Sequence, residues 1–167
     1  MVLNVTSILF MAPLGLAMAA SVLVARAYGA GDWKGVARAG FTGFGVAAVV
    51  GAAVSLGVWR GAGAIAGVYT LVPQLAALVA AALTLACLFF IADGLQVVAA
   101  QMLRACGDVW LSTGVQVASY AVVMLPLGWW LAVPMGEGLT GIVWAVIAAS
   151  FMSAGLLVAR FAWVARP

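Results

Sequence analysis

Polar positions along this chain do not alternate with apolar ones at a helical or strand period. They gather in short clusters that separate five long apolar runs, at about 5–25, 34–58, 72–104, 110–133 and 139–160. Each run reaches or exceeds the ~20 residues with which an α-helix crosses a ~30 Å hydrocarbon layer. The pattern therefore predicts an all-α fold: a polytopic membrane helix bundle with five transmembrane helices, forming one domain over 1–167. Pro13 and Pro126 lie inside runs, which lipid-embedded helices tolerate when neighbours satisfy the freed carbonyl. The third run is the longest, about 50 Å as a helix, and must project, tilt or bend near Asp93-Gly94.

The breaks have their own chemistry. Arg26 is followed by Tyr28-Gly29-Ala30-Gly31-Asp32, and Arg104 by Ala105-Cys106-Gly107-Asp108. In both, a glycine suits the position just past a helix end and the aspartate is placed to cap the next helix. A short loop is expected from Trp59 through Tyr69, and a tight turn at Pro134-Met135-Gly136-Glu137-Gly138, with Glu137 solvated. Recurring Gly40, Gly43, Gly45 and Gly51 on the second run would let helices approach closely.

Composition removes the soluble alternatives. Hydrophobic residues make up 68% of the chain and charged residues 7%, with a mean hydropathy of +1.27. Soluble domains carry about a quarter charged residues, so this set cannot build a soluble surface. Histidine is absent, which excludes His-based catalysis and His-ligated metal sites. No nucleophile is paired with a base, so an enzyme is not expected, nor a cofactor. Cys87 and Cys106 would sit about 28 Å apart on one helix, beyond disulfide reach. The net charge of +3 is spread over helix ends rather than in one patch, so nucleic acid is not a partner. Met1 to Ser7 lacks the basic start of a cleavable signal.

Basic residues set an orientation. Arg26, Lys34, Arg38, Arg104, Arg160 and Arg166 fall at ends that share one side, and Arg60 stands alone on the other. Under the positive-inside rule, both Gly-Asp turns and the C-terminus are cytoplasmic. The first run then begins outside with no charged flank to export it. This reads as a bundle lacking its preceding helix, a fragment of something larger.

Asp93 is the costly residue. It is one of four acidic residues, embedded in an apolar run about 16 Å along the helix from Arg104. A charge at membrane depth costs ~3 to 10 kcal/mol or more, and such residues mark ion or substrate paths. Its helix face holds Phe89, Phe90, Gln96, Ala100 and Gln101. A proton or monovalent cation at Asp93, with aromatic residues one turn away facing an organic cation, fits this set. The competing reading has Asp93 paired only for stability. Gln116, Ser119 and Tyr120 form a polar patch on the fourth run, for cavity lining or for interhelical hydrogen bonds. Met11, Met18 and Met124 are read as core filling ahead of an adaptable binding surface.

Taken together, several segments resemble the C-terminal lobe of the MATE (multidrug and toxic compound extrusion) family. They are Pro13-Leu-Gly-Leu-Ala-Met-Ala-Ala-Ser21 with Arg26 and Gly29 to Asp32, the run Asp93 to Asp108, Tyr120, Leu125-Pro-Leu-Gly128, and Gly138 to Trp144. The resemblance implies twelve helices in two pseudo-symmetric lobes, exporting drugs in exchange for sodium ions or protons by alternating access. The five runs would correspond to helices eight to twelve, without the seventh helix and the N-terminal lobe as partners. Asp93 matches an acidic position of the tenth helix that one branch uses for cation coupling. The position one turn earlier, often tyrosine in that branch, is Phe89. Two other classes stay open: a lipid-linked oligosaccharide flippase of the same broader fold, though no intramembrane arginine or lysine suggests its basic cavity, and a non-transporting membrane subunit. The expected location is the cell membrane, multi-pass, with the bilayer and drug-like small molecules as partners.

Overall fold

The computed structural model describes residues 2–69, 73–134 and 139–166. Among them every regular element is helical. In chain order these are α1 (Val2–Gly29), α2 (Trp33–Tyr69), α3 (Pro73–Ala105), α4 (Val109–Ala118), a π-helical segment (Ser119–Met124), α5 (Leu125–Ala132) and α6 (Leu139–Val164). The segments from Val109 to Ala132 make one rod, so the described residues form five rods, as the five apolar runs predict. Trp33–Gly61, Val109–Ala132 and Thr140–Val164 are each long and apolar enough to cross a membrane. Trp110 is 92% exposed, and Met11, Met18, Val49, Val122 and Leu125 also project outward. So large an apolar exterior fits lipid, not water: this is a multi-pass membrane bundle.

Two expectations are corrected. The loop expected at Trp59 to Tyr69 is helix, the last turns of α2. No proline interrupts it, and in lipid the helical hydrogen bonds outweigh the ~1 kcal/mol propensity cost of each glycine. Met11 and Met18, read as core filling, are 70% and 60% exposed and face outward; a thioether is apolar enough to lie against acyl chains. The turn around Glu137 lies outside the described residues.

The central rod is α3, which packs against α1, α2 and α6. Its Val98, Ala99, Met102 and Leu103 are buried with Ala20 and Val24 of α1, Val36 and Phe44 of α2, and Leu157 and Phe161 of α6. Close approach depends on small residues. A Cβ on Gly51 would meet the Ile91 Cα at 3.2 Å, and one on Gly43 would meet Ala20 Cβ at 3.1 Å. Farther along, Ser55 Oγ donates to the Cys87 carbonyl (2.7 Å) and Cys87 Sγ donates to the Ser55 carbonyl (3.3 Å), joining α2 to α3. Asp93 and Gly94 lie inside an uninterrupted α3.

The two Gly-Asp turns share one backbone design. Gly31 (φ 70°) and Gly107 (φ 83°) take the left-handed conformation that glycine adopts without a Cβ penalty. Asp32 N donates to Ala27 O and Asp108 N to Leu103 O, both at 3.0 Å, while each glycine N–H reaches the carbonyl three residues back. This is the Schellman arrangement, which satisfies carbonyls left open at a helix end. The side chains then part ways. Asp32 Oδ1 accepts from Gly35 N at 2.9 Å, the expected cap. Asp108 makes no capping bond; its Oδ2 instead accepts from Arg160 Nε at 2.8 Å. The Arg160 guanidinium also lies 4.5 Å from the Trp163 ring centre. At partial exposure such a pair is worth at most about 1 kcal/mol. It fixes geometry: the α3–α4 turn and the end of α6 occupy the same end of the bundle.

Both cysteines are buried, and among the described residues neither is in a disulfide. Burial, and then the neighbouring Asp108 carboxylate, push the Cys106 thiol above its ordinary range. Since the thiolate is the reactive form, alkylation of Cys106 at neutral pH should be several-fold slower than that of glutathione and should recover as pH rises. Stopped-time labelling with mass-spectrometric readout checks this; parity with glutathione at pH 7.5 would contradict the buried placement.

Candidate functional site: the Asp93 helix and its polar neighbours

Asp93 is buried, 8% exposed, and Gln96 is 4% exposed. Both lie on α3, where helical spacing places Gln96 one turn, about 4.5 Å, nearer the charged end. Among the described residues the Asp93 carboxylate has no hydrogen-bond or ion-pair partner, so pairing for stability alone finds no support. The arginines are engaged or remote: Arg160 with Asp108, and Arg104 Nη1 with Gln101 Oε1 at 3.5 Å.

Gln96 begins a chain of polar contacts across three rods. Its Nε2 donates to Tyr120 Oη at 3.5 Å, and Tyr120 Oη shares a hydrogen bond of 3.2 Å with Ser150 Oγ on α6. Tyr120 is delivered by the π-helical segment. The reason lies five residues on from Ala121: Pro126 has no N–H to donate and its ring crowds the carbonyl one turn back, so the α ladder cannot continue unchanged through it. A π-turn just ahead of the proline absorbs the mismatch, and such segments recur at functional sites.

Gln96, Gln116 and Tyr120 line a groove of about 570 Å³, together with Val117, Ala121, Met124 and Leu125. Three expected site residues thus come together. Phe89 and Phe90 are half-buried, their rings 6.4 Å apart and tilted, outside that lining. Gln101 is half-buried and faces Arg104 rather than the groove. Sequence reasoning missed Ser150 and Ser153, both fully buried. Their signal was two hydroxyls three apart, on one face of an otherwise apolar run. The π-segment also went unforeseen, although Pro126 marked it. Among the described residues no cluster of His, Cys, Asp and Glu suits a metal ion.

Comparison with known proteins agrees with the architecture. A family model described as MatE matches residues 1–130. The chain is 51% identical over 160 residues to a "Probable multidrug resistance protein NorM" of Caulobacter vibrioides, covering 96% of this chain and 34% of the relative. It is 37% identical over 172 residues to the like-named protein of Bradyrhizobium diazoefficiens, covering 98% and 36%. The chain therefore spans about a third of the length of the curated relatives it matches. In fold it is similar to the crystal structure of the eukaryotic MATE transporter AtDTX14, with a TM-score of 0.85 at 24% identity, over 98% of this chain and 38% of that one. These relatives carry the names of resistance proteins and a transporter, not of enzymes. With the family model covering residues 1–130, most of its length, the chain belongs to the MatE family.

Proposed function

We propose that the chain forms most of one lobe of a cation-coupled multidrug exporter, working against an opposing lobe. Asp93 binds the coupling sodium ion or proton, and the groove at Gln96, Gln116 and Tyr120, with Phe89 and Phe90 nearby, receives the drug. The observation that carries this is the isolated Asp93 carboxylate on the central helix. A buried charge without a structural partner is expensive, and a mobile cation repays it. The names of the NorM relatives support the drug-export part.

The mechanism follows from linkage. Cation binding at Asp93 favours one lobe arrangement and drug binding the other, and only such a difference in affinity between states can drive exchange. The position one turn before Asp93 is Phe89, which has no hydroxyl to offer the cation, and the Tyr120 hydroxyl bonds to Gln96 in the groove. The charged end, where Arg160 meets Asp108, faces the cytoplasm by the positive-inside rule, together with the C-terminus.

The test uses membrane vesicles containing the protein in its full coding context, loaded with a fluorescent cationic drug. An imposed sodium or pH gradient should drive drug movement, and whichever gradient works names the ion. No drug movement under either gradient would overturn the export reading.

A further inference from the structure

We propose that the groove beside the π-helical segment reads a hydrogen-bond donor on the drug, an N–H of an amine or amide, and that Gln96 Oε1 is the acceptor that reads it. This rests on the export reading above and adds a specificity rule that Asp93 cannot supply.

The amide of Gln96 is more than nine-tenths buried, and among the described residues its Oε1 has no hydrogen-bond partner. Buried polar atoms are nearly always satisfied, so an orphan acceptor needs an explanation. Its other end is held, since Nε2 donates to Tyr120 Oη and Tyr120 is tied to Ser150. Turning the amide over to satisfy Oε1 at Tyr120 would strand the NH2 group instead. The unmet capacity is therefore built in. Gln96 lines a groove of about 570 Å³, large enough for an aromatic drug. Val117, Ala121 and Leu125 offer it an apolar wall, and Met124 an adaptable one. Oε1 itself is closed off from solvent, so a drug that lays its hydrocarbon body on that wall brings its N–H to Oε1 only as the Gln96 amide turns toward the groove, giving up its 3.5 Å bond to Tyr120. A drug without a donor leaves the acceptor as unsatisfied as before. Sites that discriminate by an unmet hydrogen bond reject the analogue that lacks the group far more sharply than apolar pockets do.

Two permanent cations separate this rule from charge recognition: ethidium, which bears aryl NH2 groups, and tetraphenylphosphonium, which has no N–H. Binding of each is measured by fluorescence or calorimetry on the full-length protein in lipid nanodiscs. Gln96→Leu should weaken ethidium by about tenfold to a hundredfold, the span expected when a buried acceptor is lost, and shift tetraphenylphosphonium less than twofold. Gln96→Glu keeps an acceptor and should keep ethidium binding. If Gln96→Leu does not fold, Gln96→Met, unbranched and of similar length, carries the same expectation. Equal weakening of both cations, or no change in either, overturns the assignment. The export reading is judged separately, by gradient-driven drug movement in vesicles holding the unsubstituted protein, so failure here is distinguishable from failure of that reading.

Discussion

Asp93→Asn should abolish ion-driven drug efflux while leaving membrane insertion and drug binding intact. Asparagine keeps the shape and much of the hydrogen-bonding capacity of aspartate but carries no charge, so the variant isolates the electrostatic role. Allosteric coupling free energies of ~1–3 kcal/mol correspond to about 5- to 150-fold changes in affinity, and the loss of gradient-driven accumulation should fall in that range. Drug-for-drug counterflow, which needs no coupling ion, should persist. Asp93→Glu, with its charge displaced by one methylene, should recover part of the coupling. The readout is efflux from everted vesicles with and without the gradient identified above. Unchanged coupled efflux in Asp93→Asn would sink the coupling assignment. It would also return Asp93 to a structural role, for which the described residues provide no partner.

The second large effect concerns packing. A Cβ placed on Gly40 would run into the Phe161 ring, at Cε1 and Cζ. Phe161 is fully buried and packs edge-on against Phe44 at 5.5 Å, so it has little room to yield. Gly40→Ala should therefore destabilise the bundle by about 1–3 kcal/mol, the usual cost of overpacking. That exceeds the ~1 kcal/mol that alanine gains over glycine in a helix. On the same helix, a Cβ on Gly45 meets nothing within 4 Å. Gly45→Ala should be neutral or stabilising, so two identical substitutions five residues apart should differ in sign. Adding Phe161→Leu to Gly40→Ala should restore part of the loss. Thermal unfolding in detergent followed by size exclusion measures all three. Equal stability of the two single variants would refute the close contact.

Much of the fold could be read from the chain because lipid imposes a crude rule: apolar runs of sufficient length become helices. The five rods and both Gly-Asp turns followed from that rule and from the left-handed preference of glycine. The end of α2 did not, because Gly61, Ala62 and Gly63 look like a turn unless the environment suppresses unpaired backbone groups. The divergence of Asp32 and Asp108 was also illegible. Their flanking sequences are alike, and only tertiary placement of Arg160, fifty-two residues away, decides which aspartate caps. At the site, the cost of Asp93 drew attention to α3, and Gln96, Gln116 and Tyr120 do converge on one groove. Phe89, Phe90 and Gln101 share the helix but not the groove, because helical periodicity fixes a face and not what packs against it. Ser150 belongs to a different rod altogether, so no local pattern could link it to Gln96.

The contacts made by Arg160 and Phe161 also bear on the order of assembly. Synthesis is vectorial, and α1–α2 and α3–α4 are each joined by a tight glycine turn, so both hairpins can form as they emerge. What they lack until α6 emerges comes from two consecutive residues of that helix: Arg160 for the carboxylate on the second hairpin, and Phe161 for the notch at Gly40 on the first. This helix thus acts as a keystone for the two hairpins. A nascent bundle with both hairpins inserted still exposes an unmet charge and an open apolar notch, the kind of surface that chaperones and membrane proteases inspect. Completion of α6 closes both in a single docking step.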